Sequence, residues 1–136
     1  MRLIEQIITL KHCCQGREEE LRENLGMNVS EYNCLSSFPD GEIISSNELA
    51  ERLHLSPSRM SRIADVLVRK GFLKRMQDKS DRRVQHYALT TTGLETKADI
   101  QKLLNECEAS LKARLSKTAL KDVEKGMAAL LEAMSE

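Results

Sequence analysis

The chain has 136 residues, enough for one domain with a modest core, and it draws its apolar content from Leu, Ile, Val, Met and Ala, with four aromatics in all (Tyr32, Phe38, Phe72, Tyr87). A formal net charge of zero excludes a generic polycation. It hides an asymmetry, because residues 51–90 hold ten Lys and Arg against four acids, a local +6 balanced by −6 elsewhere.

A basic middle between acidic helices is the pattern of a local polyanion site, with a solvated basic face as its plain rival. The opening MRLIEQIITLKHCC is too short, and too interrupted by Glu5 and Gln6, for a secretory leader. No stretch approaches a transmembrane length. A cytoplasmic protein with no membrane partner is therefore expected. Its four cysteines (Cys13, Cys14, Cys34, Cys107) then read as thiols, ligands or sensors before structural disulfides.

In chain order, a first helix is predicted from about Leu3 to Asn24. Leu3, Ile7, Leu10, Cys14, Leu21 and Leu25 fall on one stripe, and Gly26 ends it. Asn28 with Glu31 three residues later makes a capping box for a short second helix carrying Tyr32, Leu35 and Phe38, which Pro39-Asp40-Gly41 stops. A third helix begins near Ser46, with Leu49, Ala50 and Leu53 inward. Ser56 as N-cap and Pro57 at the first helical position open a fourth, which Gly71 ends. Two short helices across a tight turn are a helix-turn-helix, whose second helix normally reads DNA.

FLKRMQ and VQHYALT read as two strands around the polar tip DKSDRR, a wing at about residues 72–90. The last third is helical again. Ile100, Leu104, Cys107, Leu111 and Leu115 form a narrow seam, and Leu120, Val123, Met127, Leu130 and Met134 repeat it after a Ser116 cap. Apolar helices at both ends of a small chain call for a second copy. The expected fold class is mainly α (α+β winged helix). It is a single domain, 1–136, with dimerisation helices at 1–27 and 93–136 around a DNA-binding lobe at 28–92.

The fourth helix carries the function. Met60, Ile63, Ala64, Leu67 and Gly71 project to one side, and Ser58, Ser61, Arg62, Asp65 and Arg69 to the other. Short hydroxyls near a helix start let backbone approach a groove, and the arginine fork matches guanine O6 and N7. The expected DNA-facing set is Ser56, Ser58, Arg59, Ser61, Arg62, Arg69, Lys74, Arg75, Lys79, Arg82 and Arg83. Within it, Lys74 and Arg75 hold phosphates and Arg82 and Arg83 enter a minor groove. Asp65 is repelled by phosphate unless Arg82 or Arg83 pairs with it and holds the wing to the helix; Asp65 and Asp81 are assigned this supporting role.

NELAERLHLSPSRMSRIADVLVRKGFLKR followed by DKSDRRVQHYALTTTGLE resembles the MarR family of bacterial winged-helix regulators, and LGMNVSEYNCLSSF is similar to that family's second helix. The resemblance rests on Ser-Arg-x-x-Asp, on the Lys-Gly helix end, and on Asp-x-x-Asp-Arg-Arg followed by Leu-Thr-x-x-Gly. It implies a homodimer interlocked through the first, fifth and sixth helices. Each fourth helix would lie in a major groove and each wing in the adjacent minor groove of a pseudo-palindromic operator in double-stranded DNA. Repression relieved by an effector, often a small aromatic compound bound beside the dimerisation helices, is implied as well. Ser58, Ser61 and Arg62 would then be base or phosphate contacts, and Arg82 and Arg83 wing contacts.

The family fold brings the first, second and fifth helices together. His12, Cys13, Cys14, Cys34 and Cys107 therefore leave three readings open: core packing, redox sensing and metal binding. Cys14 and Cys107, in the middle of apolar stripes, favour packing. No cofactor is expected otherwise, and the effector is unidentified. No nucleophile–base pair, phosphate-cradling glycine loop or paired carboxylates argue for an enzyme. The rival from another class, a winged-helix protein-interaction module without specific DNA binding, would tend to lose the Ser/Arg face and wing arginines that this chain keeps.

Overall fold

The computed structural model describes residues 1–77 and 83–135. The order of elements is α1 (Leu3–Leu25), α2 (Val29–Ser37), β1 (Ile44–Ser45), α3 (Ser46–Leu53), α4 (Pro57–Arg69), β2 (Leu73–Gln77), β3 (Gln85–Leu89), α5 (Thr91–Arg114) and α6 (Lys117–Met134). The chain divides into two compact units, Met1–Gln101 and Lys102–Glu136. Among the described residues no helix is long and apolar enough to cross a membrane.

Local chemistry sets most boundaries of the first unit. The Asn28 side chain accepts from the Glu31 N–H at 2.9 Å while Glu31 Oε2 accepts from the Asn28 N–H at 2.9 Å, closing the expected capping box. Ser45 and Ser56 cap α3 and α4, with Pro57 in the first turn of α4. The reader helix ends in a Schellman motif: Gly71 N–H donates to Val68 O and Phe72 N–H to Leu67 O, with Gly71 at φ 86°. Only a residue without Cβ takes that angle cheaply.

The three-stranded antiparallel sheet has the order β1-β3-β2. The wing strands pair in the register Leu73↔Leu89, Arg75↔Tyr87 and Gln77↔Gln85, and β1 adds Ile44↔Tyr87 on the other side of β3. The hairpin is the one expected from the sequence; beside it Ile44 and Ser45 become a strand because β3 offers them a paired edge.

The core gathers Tyr32 and Leu35 of α2 with Phe38 just after it, Leu49 and Ala50 of α3, Met60, Ile63, Ala64 and Leu67 of α4, Leu73, Tyr87 and Leu89 of the sheet, and Ile100 of α5. The inner face expected of α4 is thus the buried one. The Leu-Thr-x-x-Gly motif locks the sheet to α5. The Thr90 hydroxyl donates to Gly71 O at 2.6 Å and accepts from the Gly93 N–H at 3.0 Å, while the Thr90 N–H donates to Phe72 O at 3.1 Å. A Cβ on Gly93 would stand 2.1 Å from Phe72 O, so this crossing admits glycine alone. Lys97 donates to Phe38 O and pairs with Asp40 Oδ1 at 2.8 Å, pinning α5 to the turn after α2.

α1 has no buried residue: Leu3, Ile4, Ile7, Ile8 and Leu10 are exposed, and Leu21 and Leu25 near its end rest against the core. In the second unit, Ser116 caps α6 by accepting from the Ala119 N–H at 3.1 Å. There Leu104, Leu111, Val123, Met127, Leu131 and Met134 are exposed.

Candidate nucleic-acid interface

α4 is amphipathic in the sense the interface needs. Its inner four residues are buried; Ser58, Arg59, Arg62 and Arg69 are exposed, with Ser61 and Asp65 half-exposed beside them. Ser56 is occupied as a cap: its Oγ accepts from the Arg59 N–H at 3.3 Å and lies 3.4 Å from Ser58 Oγ. Ser58, Ser61 and Arg62 thus share one solvent-facing strip along the first two turns of α4. The helix N-terminus adds partial positive charge there.

On β2, Lys74 is exposed and Arg75 follows it on the opposite side of the strand. Arg75 Nη2 donates to Asp65 Oδ1, which joins the wing strand to the reading helix. A wing-strand arginine, Arg75, therefore holds Asp65; of the hairpin-tip arginines expected in that role, Arg82 lies outside the described residues. Asp65, through its hydrogen bond and its charge, raises the guanidinium's pKa. Burial raises the pKa of the Tyr87 phenol, partly offset by Arg75. Arg83 is exposed at the end of the hairpin; Lys79, Asp81 and Arg82 lie outside the described residues.

The sequence missed the joint behind α4. Lys70 Nζ stands 2.6 Å from Glu31 Oε1 and 2.6 Å from Gly26 O, so one ammonium ties the end of α1, the start of α2 and the end of the reader. A glutamate at the third position of a capping box followed by an aromatic on the inner face was the available signal.

Among the described residues no three His, Cys, Asp or Glu side chains stand close enough to hold a metal ion. His12, Cys13, Cys14 and Cys107 are exposed, so the core-packing reading of Cys14 and Cys107 is not met within one chain: the stripes they belong to face outward. Cys34 is wholly buried, and burial pushes its thiol up to about 12, which leaves it a weak nucleophile and a weak ligand.

A helix-turn-helix with a hairpin wing, an outward Ser/Arg face and a salt bridge between wing and reader define a winged-helix protein. The model of the MarR family matches residues 27–84, the stretch that holds α2 to the wing. Over that stretch the chain is similar to the MarR family. HTH-type transcriptional regulator PapX of Escherichia coli is 28% identical over 94 residues, 68% of this chain and 57% of PapX, so the match spans little more than half of that relative. Transcriptional repressor MprA of Escherichia coli is 28% identical over 140 residues, 96% of this chain and 80% of MprA. In fold, the chain is similar to Streptococcus pneumoniae FabT in complex with DNA (TM-score 0.87, 18% identity, 97% of this chain and 95% of FabT). It is likewise similar to the S. aureus MepR–DNA complex (TM-score 0.81, 18% identity, 98% and 99%).

Proposed function

We propose that this chain is a sequence-specific DNA-binding transcriptional regulator that acts in the cytoplasm as a homodimeric repressor released by an effector. The observation that carries the reading is the outward Ser58/Ser61/Arg62 strip of α4, set beside a wing whose strand is salt-bridged to the same helix. Serines let the helix backbone sit close to base edges, and Arg62 supplies a two-pronged donor for guanine. Lys74 and Arg83 add phosphate or minor-groove contacts on the wing, and Arg69 adds one at the helix end.

Dimerisation is supported by exposed apolar side chains on α1 (Leu3, Ile4, Ile7, Ile8, Leu10) and on α6 (Val123, Met127, Leu131, Met134). Apolar rows of this length on small helices are ordinarily covered by a partner. With two readers fixed in one dimer, an effector that changes their spacing releases an operator whose half-sites the duplex holds at one distance. The names of the relatives and the two DNA complexes among similar folds point the same way.

Selection from a random duplex library tests the reading. Enrichment of a palindrome, lost in Arg62→Ala and weakened steeply by salt, is the expected result. Failure of the reduced protein to enrich any sequence would move the reading to a winged-helix protein-interaction module.

A further inference from the structure

We propose that Arg75 is a positioning residue of the DNA interface and not a phosphate contact: held to Asp65 of α4 and standing directly opposite the buried Tyr87 of β3, it sets the angle of the β2–β3 hairpin on the reading helix. This inference rests on the DNA-binding reading for its consequence and on the fold alone for its geometry.

Three observations carry it. Arg75 and Tyr87 are directly paired across β2 and β3, so their side chains leave the sheet on the same face, toward α4. Tyr87 is wholly buried, and its hydroxyl already donates to Gln85 Oε1 at 2.8 Å. From this position Arg75 Nη2 donates to Asp65 Oδ1 on the outward side of α4. A planar guanidinium held on a carboxylate, its residue paired across the strands with a buried ring, fixes direction in a way a lysine does not.

The charge balance points the same way. An aspartate on the reading face repels phosphate, and paired with Arg75 the two form a neutral unit. A phosphate contact by Arg75 would require it to leave Asp65, exposing that carboxylate to the duplex. Keeping the pair intact costs the interface no cation and gives the wing a defined angle, so the sequence-reading helix and the wing enter adjacent grooves as one body.

The test compares wild type, Asp65→Asn, Arg75→Gln, Arg75→Lys and the Asp65→Asn/Arg75→Gln double variant. Amide hydrogen exchange of the free proteins comes first. Each variant is expected to speed exchange across the β2–β3 hairpin by roughly 10-fold while α2 keeps its protection. On the selected duplex, Asp65→Asn is expected to bind about 10-fold more weakly although it removes a negative charge from the DNA side, and the double variant no more weakly than the worse single one. The salt dependence stays at the wild-type slope, and hydroxyl-radical protection is lost in the minor groove beside the wing and kept over the major groove. Arg75→Lys, which keeps the charge, follows Arg75→Gln. Unchanged hairpin exchange in Asp65→Asn, tighter binding by that variant, or a salt slope reduced by about 1 in Arg75→Gln overturns the proposal. A wild-type protein that selects no duplex overturns the DNA-binding reading instead, and hairpin exchange then decides the clamp by itself.

Discussion

Lys70 and Glu31, 39 residues apart in sequence, meet at 2.6 Å behind the reading helix, and the same ammonium takes the Gly26 carbonyl at 2.6 Å. The two partners are unequally buried: the Glu31 side chain is 4% exposed and that of Lys70 37%. Losing Lys70 strands a carboxylate that water cannot reach, whereas losing the Glu31 charge leaves an ammonium able to rehydrate. Lys70→Met is therefore expected to cost about 2 kcal/mol and Glu31→Gln about half that, because the amide oxygen still accepts from Asn28. Urea unfolding of the two variants checks the order, which is the informative part.

Gly93 is expected to be the least replaceable residue of the wing–α5 junction. The obstacle to a Cβ is the backbone oxygen of Phe72, which cannot rotate away and is already engaged by the Thr90 N–H. Gly93→Ala should destabilise by about 3 kcal/mol, through displacement of α5 from the sheet, despite the better helix propensity of alanine. Thermal melting beside the control Gly126→Ala, at an open helical position, separates the clash from the propensity effect.

The buried thiol of Cys34 makes stability fall on the alkaline side. Its folded pKa is raised from 9.0 to about 12, so between those values the native state holds a proton that the unfolded chain has lost. Stability therefore declines as pH rises through this window, by about 1.4 kcal/mol per unit, and is unaffected by this group below it. The Tyr87 phenol is raised too and acts in the same direction. Cys34→Ala is expected to lower stability at pH 7 through the lost packing and to flatten the decline above pH 9.0. Denaturant midpoints against pH measure both. In native protein near pH 8, alkylation should spare Cys34 until the chain is unfolded.

What could be read from the sequence was what short-range chemistry decides. The Asn28–Glu31 box, the Ser56-Pro57 start and the Gly71 stop each involve neighbours within a few residues, and the inner face of α4 follows from helical periodicity. The pairs that orient the site were not legible in the same way. Lys70 meets Glu31 through the packing of α2 on α4. Arg75 reaches Asp65 because the Schellman turn at Gly71 swings β2 back along the helix, a geometry that spacing alone does not distinguish from a contact by Arg82 or Arg83. β1 was missed because two residues carry no periodicity of their own. The exposed cysteine stripes show the converse limit, since an apolar row marks a face to be covered and does not say by which chain.

Arg62 and Lys74 offer the sharpest division of labour at the interface. Both are exposed cations, one on the reading strip of α4 and one on the wing strand. Arg62, opposite the buried face and next to Ser58 and Ser61, is placed to donate its fork to a base edge. Lys74 is a single-point charge suited to a phosphate. Arg62→Ala is expected to cost about 1–3 kcal/mol on the selected duplex and to relax preference at one base pair per half-site. Lys74→Ala should instead weaken all duplexes alike and lower the salt slope by about 1 for each protomer. Competition binding across single-base variants of the duplex, repeated at several salt concentrations, reads both effects in one data set. If Arg62→Ala loses affinity evenly over all variants while its salt slope drops, Arg62 is a phosphate contact and the reading of sequence passes to Ser58, Ser61 and the wing.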